Sequence, residues 1–178
     1  LEEDSDAVIA DAMSLFGLVI GATPGQISKA NFYIEQTLAL HQKIGDLYGL
    51  AMDYLHLSCV LNQTGQGSVA ISMVKNSLQF FEQLNDVWGK GRCYQMLGQL
   101  SIGLGQYTEA SWFFNQQLDA DTQVDFSRGQ LYAWAGLKYK LRQSNDLASA
   151  GAMLTSDTVS NFDRELNEIS SEYIPCFS

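Results

Sequence analysis

A shift of 40 residues lays the chain on top of itself, and this internal period constrains the fold more than any other feature. Blocks begin at Ser5, Gly45, Asn85 and Asp125. Ala30, Ala70, Ala110 and Ala150 share a column without exception, and Gly25, Gly65, Gly105 and Asn145 share another. Tyr54, Tyr94 and Trp134 align, as do Leu57, Leu97 and Leu137, and Gly49, Gly89 and Gly129. A fixed period of this length means one supersecondary unit stacked in a row, because such a unit cannot bury its apolar face alone. The 178 residues then make a single array of about four units.

Each block reads as two helices. In the third, the spacing predicts a helix over Val87–Gly103 with Tyr94, Leu97, Gly98 and Ser101 on one face. Gly105 follows, in the column that also holds Gly25, Gly65 and Asn145. Gly and Asn readily take the left-handed conformation that ends a helix, so this column is a C-terminal cap. A second helix from Tyr107 to about Asp121 brings Ala110, Phe113, Phe114 and Leu118 to one face. Thr23-Pro24 is expected as a helix start with proline pre-set for the first turn. Asp46, Asp86 and Asp125 are expected as N-caps or first-turn acids of the next block.

A large aromatic, Leu three on, a small residue, Gly at the turn and Ala opening the second helix make up a known pattern. With Tyr94, Leu97, Gly98, Gly105, Tyr107, Ala110 and Phe114, the third block resembles the tetratricopeptide repeat. The period of 40 is similar to the long variety found in Pins/LGN-type polarity adaptors and rapsyn. The resemblance implies an all-α fold: an α-solenoid of about four helix-turn-helix repeats wound as a right-handed superhelix of about nine helices. The array would cover 5–160, with repeats at 5–44, 45–84, 85–124 and 125–160 and tails at 1–4 and 175–178. Residues 161–174 carry Phe162, Leu166, Ile169 and Tyr173 and are expected as a polar-backed capping helix. Ser14 and Gly17 stand where the aromatic and Leu belong, so loose packing is expected in the first block. Lys138 at the small position raises the same expectation in the fourth. HEAT repeats, which also run near 40 residues, are the alternative; they do not explain a Gly column with Ala five residues later.

Composition narrows the function classes. Ten basic and twenty acidic residues leave a net charge of −10, which argues against a nucleic-acid footprint. The longest apolar stretch, Leu15–Ile20, is far short of the ~20 residues a membrane helix needs. Cys59, Cys93 and Cys176 form no disulfide spacing and point to a reducing, cytoplasmic setting with small buried thiols. The start without Met gives the expectation of a piece of a longer protein.

No constellation reads as an enzyme, a cofactor site or a metal site. Asp53 and His56 share a face at i, i+3, but no third ligand follows, and His41 and His56 are expected as surface or groove residues. Asp119 to Asp125 alternates acids like a calcium loop, yet lacks its Gly and its final Glu. The Gly pairs at Gly65, Gly89 and Gly103 lack phosphate-loop spacing. Lys138, Lys140 and Arg142 form the one basic cluster, expected as a solvated face.

What the resemblance implies is a concave surface lined by the first helices, holding a linear segment of a partner protein. The register puts Arg92, Gln95 and Gln99 there, with Tyr132, Tyr139 and Arg142 from the fourth block and Met52, Leu55 and Asn62 from the second. The expected role is a protein-interaction module within a larger adaptor or scaffold. Two competing classes stay open: a structural or self-associating array forming homo-oligomers, and a peptide-sensing regulatory domain.

Overall fold

A computed structural model describes residues 2–143, with side chains described for residues 6–130 and 132–137. These residues form seven helices: α1 (Glu2–Gly21), α2 (Ile27–Ile44), α3 (Leu47–Gln63), α4 (Gly67–Gln83), α5 (Val87–Gly103), α6 (Tyr107–Gln123) and α7 (Ser127–Gln143). There is no strand among the described residues. Each helix packs on its neighbours in order, giving an all-helical repeat solenoid. The expected limits of α5 hold, and α6 runs two residues beyond Asp121. α2 starts at Ile27, beyond the left-handed Gly25, which corrects the start expected at Thr23-Pro24. Glu2, Glu3 and Asp4, set aside as a tail by the register, already belong to α1. Asn145, Ala150, the second helix of the fourth repeat and the capping helix over 161–174 lie outside the described residues.

Two columns of left-handed backbone punctuate the array. The first separates the helices of a pair: Gly25, Gly65 and Gly105 have φ of 79°, 73° and 74°. At Gly65 the caps close fully, with Gly65 N–H bonded to the Asn62 carbonyl and Gln66 N–H to that of Leu61. The second column separates successive pairs and holds Gly45, Asn85 and Asp125, with φ of 73°, 53° and 53°. Asp125 therefore ends α6 and is not an N-cap, which corrects the sequence expectation. Its φ is tolerable because Asn and Asp are the non-glycine residues least penalised there. Asp46 and Asp86 do cap α3 and α5, each accepting a 3.0 Å bond from the N–H of Gly49 or Gly89.

Within each pair the invariant Ala column is fully buried at Ala30, Ala70 and Ala110. The first pair is not loosely packed. A Cβ on Gly17 would lie 2.8 Å from Ile34 Cγ1, and Ser14 is buried, so small residues bring α1 close to α2. At these departures from the aromatic and Leu columns the two helices are in close contact, with no gap left at Gly17.

Between pairs, one side chain of each second helix plugs into the start of the next first helix. His41, Phe81 and Asp121 occupy this column, all buried, against Gly49, Gly89 and Gly129. A Cβ on Gly89 would come within 2.2 Å of Phe81 Cδ1, so only glycine admits the ring at this distance. The largest core cluster gathers around this middle junction, with Val74, Phe81, Cys93, Leu97 and Leu100.

The first helices α1, α3, α5 and α7 also touch one another in succession, whereas α2, α4 and α6 do not. A row whose first helices are closer together than its second helices must curve, with the first helices inside. Among the described residues no helix is long and apolar enough to cross a membrane.

Candidate partner-binding surface

The two histidines and Asp53 take part in structure, not in an exposed site. All three are buried, contrary to the surface or groove placement expected from sequence. The carboxylate of Asp53 does not pair with His56 one turn along. It accepts a 2.8 Å bond from His41 Nδ1 across the α2–α3 junction, while His56 Nδ1 shares a 2.8 Å bond with Ser14 Oγ of α1. Burial raises the Asp53 carboxyl above the usual range, opposed by the nearby Ser14 hydroxyl, by the hydrogen bond and charge of His41 and by the nearby Thr37 hydroxyl. Burial likewise pushes His56 down to about 4, so the imidazole is neutral at ordinary pH. The missed signal was long-range: the acid's partner comes from the plug column of the preceding helix. Among the described residues no group of three or more His, Cys, Asp or Glu is arranged to hold a metal ion.

The inner surface is built differently. On α5, Trp88, Arg92, Gln95 and Gln99 follow one another at turn spacing and so share a helix face. The Arg92 guanidinium carbon lies 6.0 Å from the Trp88 ring centroid, within cation–π range. Its Nη1 also donates to Gln95 Oε1. These contacts hold a long cation in one place before any partner arrives, which lowers the entropy cost of using it. Arg92 and Gln99 are half-buried, and Gln95 is buried beneath Arg92.

Behind Arg92 stands Asp121 of α6. Burial raises this carboxyl, opposed by the 3.0 Å bond from Gln117 Nε2 and by the positive charge of Arg92. Sequence reasoning missed both neighbours. Trp88 was detectable, one turn before Arg92; Asp121 was not, because it arrives from the outer helix.

The flanking repeats contribute unevenly. On α3, Met52 is half-buried against the core and Asn62 is exposed. Leu55 is buried in the core cluster and backs the surface without lining it. On α7, Tyr132 is half-buried, and Tyr139 and Arg142 lie on the same helix with side chains outside the described residues. The structure thus brings Arg92, Gln95 and Gln99 together and sets Met52 and Tyr132 in the corresponding columns of the neighbouring first helices.

No family model matches the chain, and no curated protein sequence matches it. The functional reading therefore rests on this geometry: an ordered cation on an aromatic ring, amides beside it, and apolar side chains one repeat away. Such a set can hold a carboxylate or amide group and an apolar side chain about one helix spacing apart.

Proposed function

We propose that this chain is a protein-interaction module of tetratricopeptide type that holds a linear segment of a partner protein along the inner surface of α3, α5 and α7. The observation that carries this reading is the pre-ordered Arg92, fixed by Trp88 and Gln95 on the inner face of the middle repeat. Arg, Trp and Tyr dominate binding energy at interfaces because each buries a large area while keeping a hydrogen-bonding end. The segment carries an amide or acidic group for Arg92 and an apolar anchor for the Met52 side. The net charge of −10 favours an amide or a single carboxylate over a highly acidic stretch. The module works without catalysis or cofactor, in the cytoplasm, as part of a larger adaptor.

Affinity capture with mapping of the captured segment, followed by titration with that segment as a synthetic peptide, tests the reading. Arg92→Ala combined with Tyr132→Ala is expected to weaken binding more than about tenfold, ~1.4 kcal/mol, with helicity unchanged. Lys75→Ala on the exposed side of α4 is expected to do nothing. Affinity that survives the first pair and falls with Lys75→Ala would place binding on the outer helices instead.

A further inference from the structure

The junction between α6 and α7 is built unlike the two before it. Its plug is Asp121, 1% exposed, with one carboxyl oxygen toward each neighbouring first helix. Oδ1 lies toward α5, where a Cβ on Gly91 would come within 2.9 Å of it, and Oδ2 lies toward α7, where a Cβ on Gly129 would collide with it. At the first junction the buried acid has an imidazole partner, Asp53 against His41. At the second the plug is a phenyl ring, and burial pushes the facing Cys93 thiol up to about 12, so neither member is charged. At the third the facing column holds Ala133, which is buried and has no donor for a carboxylate.

Donors are scarce around this acid. Its carboxyl receives a 3.0 Å bond from Gln117 Nε2, and the same nitrogen donates to the Gly129 carbonyl of α7 at 2.8 Å. Gln117 is itself 1% exposed, and its Oε1 accepts no hydrogen bond among the described residues. The ion pairs among the described residues do not include Asp121. A buried carboxylate without a counter-ion in contact and a buried amide oxygen without a donor are both unfavourable. One proton on Asp121 answers both. It removes the charge and supplies an O–H for Gln117 Oε1, in the two-bond pairing open to a carboxylic acid and a primary amide.

The charged groups around the junction do not replace that proton. α6 packs against α5 and α7. Near its start α5 carries Lys90 and Arg92; the charge of Arg92 opposes protonation of Asp121, but its guanidinium is engaged with Gln95 and Trp88. On α7, Arg128 is exposed, as are Asp119 and Asp125 on either side of Asp121 along the chain. Lys138, Lys140 and Arg142 stand more than two turns beyond Gly129, with side chains outside the described residues. Burial outweighs Arg92 and raises the Asp121 carboxyl above the ordinary aspartate value.

We propose that the α6–α7 junction is a proton-gated seat: Asp121 carries a proton while α7 is docked, and its ionisation, with the proton passing to solvent, loosens α7 from α6. The sign follows from linkage. Below the ordinary aspartate value the docked and undocked states both hold the proton; as the pH rises above it, through the higher value of the docked state, the contribution of Asp121 to docking is lost. α7 brings Tyr132 to the inner surface, so its loosening removes one wall of that surface. That consequence rests on the binding role proposed for the inner surface; the switch itself does not, and its test follows a helix and not a ligand.

The test is hydrogen exchange by mass spectrometry on the full chain at about pH 4, 6 and 8, read as protection factors so that the intrinsic pH dependence of exchange cancels. Protection in α7 is expected to fall several-fold more than protection in α5 as the pH rises. Asp121→Asn keeps the shape, stays neutral throughout and can donate to Gln117 Oε1 as the protonated acid does, so it should hold α7 equally at every pH. Carboxyl-carbon NMR on the unsubstituted protein follows the proton directly, whether or not that variant folds, and Asp121 should titrate above the ordinary aspartate range. An Asp121 carboxyl that titrates within or below that range overturns the proposal. So does α7 protection that tracks α5 at every pH, or a pH response of α7 that survives Asp121→Asn.

Discussion

The junctions between α2 and α3 and between α4 and α5 have one geometry and opposite chemistry. In both, a buried ring from the second helix fills the space over a glycine at the start of the next helix. At the middle junction the ring is Phe81, and its surroundings are Val74, Cys93 and Leu97. At the first junction the ring is His41, and Asp53 replaces Cys93 in the facing column. The repeat backbone thus specifies a ring-sized plug and leaves its polarity free, provided that the facing residue changes with it. A buried imidazole needs an acceptor; a buried phenyl needs only volume.

The comparison can be broken at the apolar side first. Phe81→Ala is expected to cost about 3–5 kcal/mol, as large-to-small changes of buried aromatics do. Denaturant unfolding checks this, and a loss below about 1 kcal/mol would mean the plug is not a packing element. At the polar side, His41→Phe keeps a ring in the plug position and leaves Asp53 buried without its imidazole partner. The expected loss is about 3 kcal/mol or more. Adding Asp53→Cys transplants the middle junction's facing residue and should restore most of it. A double variant no more stable than His41→Phe alone would show that the two junctions are not interchangeable.

The smallest expected effect is in pH. His56 has a folded pKa of about 4 against an ordinary value near 6.5. Between those values the unfolded chain binds a proton that the folded chain refuses, so stability falls on acidification through the window. The loss is at most about 3 kcal/mol. Asp53 acts in the opposite sense: its raised pKa contributes stability at low pH that is lost as pH rises, so it offsets part of the loss at the acid end. His56→Asn keeps a hydrogen-bonding group beside Ser14 and should flatten the melting midpoint between about pH 6.5 and 4.5. A slope unchanged by that substitution would assign the acid sensitivity elsewhere.

The period of 40 residues, the helix pair and the Gly25, Gly65 and Gly105 turns were all legible in the sequence. They are local: a left-handed cap and an apolar stripe depend on residues within a turn or two of one another. The common helix side of Arg92, Gln95 and Gln99 was legible for the same reason, since spacing alone sets it. What packs across helices was not. Asp53 and His56 looked like a pair at i, i+3, yet the fold gives one to His41 and the other to Ser14. Asp125 looked like its aspartate neighbours Asp46 and Asp86, but it belongs one column earlier and ends a helix. Only the tertiary structure decides such partners, because burial is set by the approach of distant helices, and burial is what turns a polar side chain from a surface group into a core one.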